Sequence, residues 1–311
     1  MSLPRLQLSV IGDEIGPSLD EMISFAHEHG LKHLDMRTVG GRNLLAMKTE
    51  EVIQISRTLE KADISVPAFV SPLFKWKAPG KSVANGNVDF AFDPKQCPVE
   101  DWVAHAMQIA VILGAPHMRI FSYLRYDGFK PSDLRGLTDH LTKLLGFASH
   151  YDITLQLENE PVCNVGNIAE LAAFFVAMEQ ASEAAEEGDI EEFEERDKLL
   201  DNPPVYLRPL VDIANAWSTG ERPSDADIAV LAPLTTAIHL KDRDLTAKRT
   251  VPLGDGDVPW PAELKRLLSG VETKEVLASI ETHCPQDGRN ATARSIAGLR
   301  RIAAEIGVEV V

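Results

Sequence analysis

Four residues able to bind a divalent cation each close a short apolar run: Glu158 in LQLENE, Asp212 in PLVDIAN, His239 in AIHLKD and Glu281 in ASIETH. Three carboxylates and one imidazole, with no thiolate, suit Mn²⁺, Mg²⁺, Co²⁺ or Zn²⁺. One such ion with coordination positions left open is a Lewis acid toward a substrate's hydroxyl and carbonyl oxygens. Taken singly, each residue reads more simply as a helix cap or an arginine's partner. Taken together, charged groups in one barrel mouth need a metal or paired partners.

For the four to meet, their elements must be neighbours. The separations from Glu158 to Asp212, Asp212 to His239 and His239 to Glu281 are 54, 27 and 42 residues. A strand, loop and helix take roughly 25–45 residues in an eight-unit barrel. The first separation is long because an acidic, helix-forming stretch at about 179–203 falls inside it. The four then end the fifth to eighth strands, at the face where barrels carry their chemistry. Strand alternation puts Thr154 and Gln156 on the face of Glu158, and Arg208 and Leu210 on that of Asp212. Ala237 accompanies His239, and Leu277 and Ser279 accompany Glu281.

The rest of the chain supplies the frame. Eight strand-like runs alternate with helical patterns: Leu6–Ile11, His33–Arg37, Ser65–Val70, His117–Ser122, Thr154–Glu158, Tyr206–Asp212, Ala237–Lys241 and Val276–Glu281. SLDEMISFAHEHG, closing on Gly30, VEDWVAHAMQIAVILGA, closing near Gly114, and the Pro131-Ser132-Asp133 start of a third stretch read as helices. VIGDEIGPS after the first strand lacks a GxGxxG fingerprint. The expectation is an α/β fold, a (β/α)8 TIM barrel, with residues 1–311 as one domain. Two segments break the rhythm. The loop at 71–98 after the third strand carries Phe74, Trp76, Phe90, Phe92 and the turn signal Ala84–Asn87, and reads either as a lid or as aromatics packed on the rim. The acidic stretch reads as a solvated helical face, with a subunit contact as the alternative.

Composition narrows the partners. The 311 residues carry a net charge of −16, and Glu179–Asp201 holds eleven acidic and two basic residues of that balance. Such acidity argues against a nucleic-acid backbone as partner. No apolar run is long enough to cross a bilayer, and the N-terminus has no signal-peptide pattern, so no membrane is expected. Cys97, Cys163 and Cys284 are far apart and form no CxxC pair, which fits a cytoplasmic protein without a disulfide framework. A homo-oligomer is compatible with all of this.

LENE, VDIAN, HLKDRD and IETH resemble the motifs of the xylose-isomerase-like TIM barrels. That group contains sugar and sugar-phosphate isomerases and epimerases, inosose dehydratases and endonuclease IV. GDEI at Gly12–Ile15, LDMR at Leu34–Arg37 and LGDGDVPW at Leu253–Trp260 resemble further family elements. The resemblance implies that Glu158, Asp212, His239 and Glu281 hold one divalent ion and that Glu158 and Glu281 form an acid/base pair. It implies an isomerase or epimerase of a sugar or polyol-like substrate, working by proton transfer through a metal-stabilised enediolate. The alternative on the same site is a dehydratase or lyase of a keto-sugar or keto-inositol. An endonuclease lacks the multi-histidine set here, and a non-catalytic binding protein would not need both glutamates. Sugar epimerases often carry histidine where Asn215 stands; asparagine binds a hydroxyl but carries no proton at neutral pH. Arg37, Arg119, Asn215 and Lys241 are the candidates for substrate contact, with an ion pair inside the barrel as the alternative for the two arginines and a partner for Asp212 or Glu160 as the alternative for Lys241. Glu14 is expected to reach the mouth from the first strand, His283 reads as a surface histidine with a place beside Glu281 as the alternative, and Trp260 reads as a packing residue.

Overall fold

The computed structural model describes residues 3–83, 99–130, 133, 144–186 and 206–311. In chain order the strands are β1 (Arg5–Val10), β2 (Thr38–Val39), β3 (Arg42–Asn43), β4 (Ala68–Phe69), β5 (His117–Ile120), β6 (Thr154–Glu158), β7 (Leu207–Asp212), β8 (Ala237–Leu240), β9 (Asp242–Asp244), β10 (Arg249–Val251) and β11 (Glu275–Ile280). Seven form a parallel sheet in the order β1-β11-β8-β7-β6-β5-β4. Residues 33–36 span the remaining gap. Asp35 bridges Ile11 beside β1, while His33 and Met36 bridge Ser65 and Phe69 on the other side. The amide of Asp35 donates to the Val10 carbonyl at 2.9 Å, and that of Met36 to the Ala68 carbonyl at 3.1 Å. The ring thus closes as a TIM barrel of eight staves.

Two of the expected strands are shorter than the sequence pattern. The run 33–37 makes single bridges only, because the chain turns away at Arg37 into the β2–β3 hairpin. Gly40 and Gly41 (φ 62° and 72°) form that turn in the left-handed region that two-residue hairpins favour. The run 65–70 reduces to β4 because Pro67 has no N–H to give the ladder.

Local sequence sets the helices. Ser18 and Glu21 form a reciprocal capping box at the start of Leu19–His29, and Gly30 at φ 66° ends it. Gly114 at φ 66° follows the helix Val99–Leu113 in the same way. Residues 144–151 are helical, but the expected start at Pro131-Ser132 lies outside the described residues. The acidic stretch begins at the end of helix Ile168–Glu186, and its residues 187–203 also lie outside them. Of the loop at 71–98, residues 71–83 are described. They run beside 121–127: the amides of Phe121, Leu124 and Asp127 donate to the carbonyls of Leu73, Trp76 and Ser82 at 2.9, 3.0 and 3.0 Å. Phe74 and Trp76 are buried there, with the Phe74 ring tilted against that of Tyr123 at 5.1 Å. This part packs on the rim; Phe90, Phe92 and the turn at 84–87 lie outside the described residues.

Alternation divides the barrel strands as expected. Leu8, Val10, Ala278 and Ile280 join the main core with the helices. Ala68, Leu210, Ala237 and Leu277 form a separate small cluster inside the barrel. It is an apolar floor, with Leu210 and Ala237 two residues before Asp212 and His239, and Leu277 four before Glu281.

Candidate metal centre and acid–base site

Glu158, Asp212, His239 and Glu281 come from β6, β7 and β8 and the residue after β11, on four adjacent strands. All four are buried, and one ligand atom from each lies within 4.8 Å of the others. Register explains part of this: Asp212 pairs with His239, and His239 with Ser279, two residues before Glu281.

Local bonds fix the ligand atoms. Asp212 caps helix Ile213–Ser218, its Oδ1 accepting the amide of Asn215 at 2.8 Å. Its Oδ2 is buried and ion-paired with Lys241 Nζ at 2.5 Å. The capping role and the ligand-like placement therefore coexist in one carboxylate. Asn159 clasps Asp212 from β6, accepting its amide at 2.9 Å and donating to its carbonyl at 2.8 Å. His239 Nδ1 faces Glu158 Oε1 at 3.0 Å and Glu281 Oε2 at 3.5 Å. A donor set of three carboxylate oxygens and one imidazole nitrogen fits a hard or borderline divalent ion.

The cluster's electrostatics follow from close packing of opposite charges. Burial favours a neutral Glu158, but His239 and Arg119 overcome it and hold that carboxyl at about 2. Burial acts likewise on Glu281, where His283, Lys241 and His239 hold it well below the usual range. Burial disfavours a charged His239, yet Glu158 and Glu281 lift it to about 9. Burial raises Asp212 despite Lys241 beside it. Both glutamates are thus ionised at neutral pH, the state a general base needs.

The four expected substrate contacts fare differently. Arg119 donates to Glu158 Oε2 at 3.1 Å and to the Ser71 carbonyl at 3.3 Å, and its buried Nη2 has no hydrogen-bond partner. Lys241 Nζ lies 2.5 Å from Asp212 and 2.8 Å from Glu281. Arg37 binds Asp13, Glu14 and Glu281 at 3.0, 2.8 and 3.0 Å. The Asn215 amide donates to the Asn159 carbonyl at 2.8 Å, tying it to the strand-end clasp. Geometry thus gives Arg37 and Asn215 an internal pairing, and leaves Arg119 with a free donor.

Three further residues belong here. Glu14 accepts the Thr282 hydroxyl and the His283 amide, each at 2.8 Å, and so holds the turn after β11. His283 sits at φ 48° with Nε2 3.2 Å from Glu281 Oε1. Asn159 has no sequence signal beyond its place after Glu158. Deeper in the barrel, Asp35 is fully buried beside Ser9 and Ser279, and burial pushes it up to about 6. Neither of its oxygens has a well-formed hydrogen bond.

Comparison with known proteins places this geometry. The model of the xylose isomerase-like TIM barrel family matches residues 23–302. No curated protein sequence matches. The fold is similar to that of the IolI protein, crystallised with a bound zinc atom, at 13% identity and TM-score 0.70, covering 96% of this chain and 99% of that one. It is similar to an L-ribulose 3-epimerase at 13% identity and TM-score 0.65, with 97% of each chain covered. It is also similar to the probable 3-DHS dehydratase AsbF from Bacillus anthracis, at 13% identity and TM-score 0.63, covering 94% and 98%.

Proposed function

The chain belongs to the xylose isomerase-like TIM barrel family, and from that premise we propose that it is a divalent-metal-dependent isomerase or epimerase of a small carbohydrate-like substrate. The observation that carries the reading is the pair Glu158 and Glu281. They stand on the two outer of four adjacent strands, with Asp212 and His239 between them, and all four reach one point. Glu158, Asp212, His239 and Glu281 would hold the ion. When bound, it supplies Lewis acidity toward a substrate carbonyl oxygen.

The chain's own groups do the rest. One ionised glutamate takes the proton from the carbon next to the carbonyl, and the C–H electron pair shifts toward the carbonyl oxygen. The other glutamate, on the far side of the site and likewise ionised in the free chain, takes up a proton from solvent and returns it. Returned to the same carbon from the opposite face, it epimerises; returned to the former carbonyl carbon, with the neighbouring hydroxyl proton passing to the former carbonyl oxygen, it isomerises. The free Nη2 of Arg119 is a donor for a substrate oxygen, in a setting where hydrogen bonds are strong because water is excluded. The similarity to a probable dehydratase supports a second reading, in which the second carboxyl protonates a leaving hydroxyl and water departs.

The test is product analysis in D₂O, with unphosphorylated ketohexoses, their phosphate esters and keto-inositols, in the presence of Mn²⁺, Mg²⁺, Co²⁺ or Zn²⁺. Deuterium incorporation with retained carbon and oxygen count supports the isomerase or epimerase. Loss of one water supports the lyase. Turnover of an identified substrate that survives Glu158→Gln and Glu281→Gln would sink both.

A further inference from the structure

Two potential ligand sets meet at Glu281. One is the centre described above. The other is Glu14, Glu281 and His283, which also bring one ligand atom each within 4.8 Å of the others. A carboxylate shared between two ligand sets is how two-metal centres are built, with ions roughly 3.5–4 Å apart. In this chain the second set already holds a cation. Arg37 Nη2 donates to Glu14 Oε1 at 2.8 Å, and Nη1 donates to Glu281 Oε1 at 3.0 Å. Its Nε donates to the two Asp13 oxygens at 3.1 and 3.0 Å. The Arg37 side chain is only 13% exposed, and a guanidinium keeps its charge at any working pH.

We propose that Arg37 is a built-in second cation, and that it limits this site to a single divalent ion. The inference rests on the metal reading above and adds a count to it. Position is the first argument. Arg37 engages Glu281 Oε1, the oxygen that also faces His283 at 3.2 Å. Oε2 is left toward Lys241 and His239 at 2.8 and 3.5 Å, on the side of the first ligand set. Charge is the second. Asp13, Glu14, Glu158, Asp212 and Glu281 form one network of direct contacts with Arg37, Arg119 and Lys241. Five carboxylates against three side-chain cations leave two negative charges, which one divalent ion cancels with His239 neutral as a ligand and His283 neutral beside Glu281. A second ion would leave two buried positive charges without partners, a strongly unfavourable state. Access is not what keeps a second ion out. A cleft of about 850 Å³ opens onto Asp13, Glu14, Arg37 and His283. A planar guanidinium bound at three carboxylates is also harder to displace than a single flexible ammonium.

The experiment is metal counting on the full chain, stripped with a chelator and titrated with Mn²⁺, by calorimetry and by metal analysis after dialysis. The wild type is expected to bind one ion per chain. Arg37→Met should keep that ion and gain a second, weaker binding step, which Glu14→Gln in the same background should remove. Glu14→Gln alone should still bind one ion. Two ions on the wild type, a folded Arg37→Met chain that still binds only one, or loss of the ion in Glu14→Gln alone would each overturn the proposal. The wild-type count and the Glu14→Gln variant decide the matter even if Arg37→Met does not fold. A wild type that binds no ion at all removes the metal centre itself, an outcome distinct from a count of two.

Discussion

Asp35→Asn should stabilise the protein, by an amount that grows with pH. Asp35 is fully buried on the stave of residues 33–36, and burial lifts it from 3.8 to about 6. Because the folded state raises this value, it binds the proton more tightly than the unfolded state does. The group favours folding below about pH 4, and that contribution is lost as the pH rises through about 6. At 1.36 kcal/mol per pKa unit, the difference amounts to about 3 kcal/mol. Asparagine has nearly the same shape and does not titrate. The variant's gain over the wild type should therefore be close to zero at pH 4 and approach ~3 kcal/mol by pH 8. For a chain of this size, that is a rise in melting temperature on the order of 5 °C. The assay is a series of thermal or urea unfolding curves for both proteins between pH 4 and pH 8, with a chelator present. A gain that is the same at both ends of that range, or a loss at pH 8, refutes the electrostatic argument. His239 also attracts the Asp35 charge, so the stabilised variant should bind Mn²⁺ more weakly.

Glu158→Gln and Glu281→Gln should each reduce turnover by ~10²–10⁴-fold, the usual worth of general acid–base catalysis, measured on the substrate found by product analysis. His239 stands at about 9 without a metal, so an ion that binds its neutral ring must displace a proton. Calorimetry at pH 7.5 in buffers of different ionisation heat should show close to one proton released per ion, and affinity should rise with pH up to about 9; a count near zero contradicts this. The same shift makes protonated His239 stabilising: its contribution to the metal-stripped chain is full below about 6.5 and fades as the pH rises through about 9. Asn159→Ala should lower stability by about 1–3 kcal/mol, since it leaves the buried backbone groups of Asp212 without partners. It should also weaken Mn²⁺ binding, and an unchanged affinity would show that the clasp does not position the ligand.

The ligand quartet was legible because polar residues of metal-binding type ended four apolar runs, and barrel topology makes consecutive strands adjacent. The apolar floor was legible for the same reason, since Leu210, Ala237 and Leu277 follow from strand alternation. The stave at 33–36 takes the place in the ring that its apolar run implies, but not the continuity, because Arg37 leaves the ladder for a hairpin and Pro67 thins the partner strand. The fate of Arg37 could not be read. Two of its partners follow the first strand and the third follows the last, 244 residues away in sequence. Sequence shows in Asn215 only what it lacks relative to histidine, whereas its side-chain amide ties down the carbonyl of Asn159. Asn159 itself carries no pattern, since a lone asparagine after a strand is common at any turn.

One carboxylate serves two masters. Asp212 Oδ1 holds the amide of Asn215 at the start of helix Ile213–Ser218, and Oδ2 points into the ligand cluster. Under the proposed metal reading, an ion at Oδ2 should be coupled to order in that helical turn. Amide hydrogen exchange at Asn215 should then slow as Mn²⁺ is added, a readout that needs no substrate. Alanine at position 212 would conflate lost charge with a frayed helix. Asparagine, which can still accept the amide, separates the two.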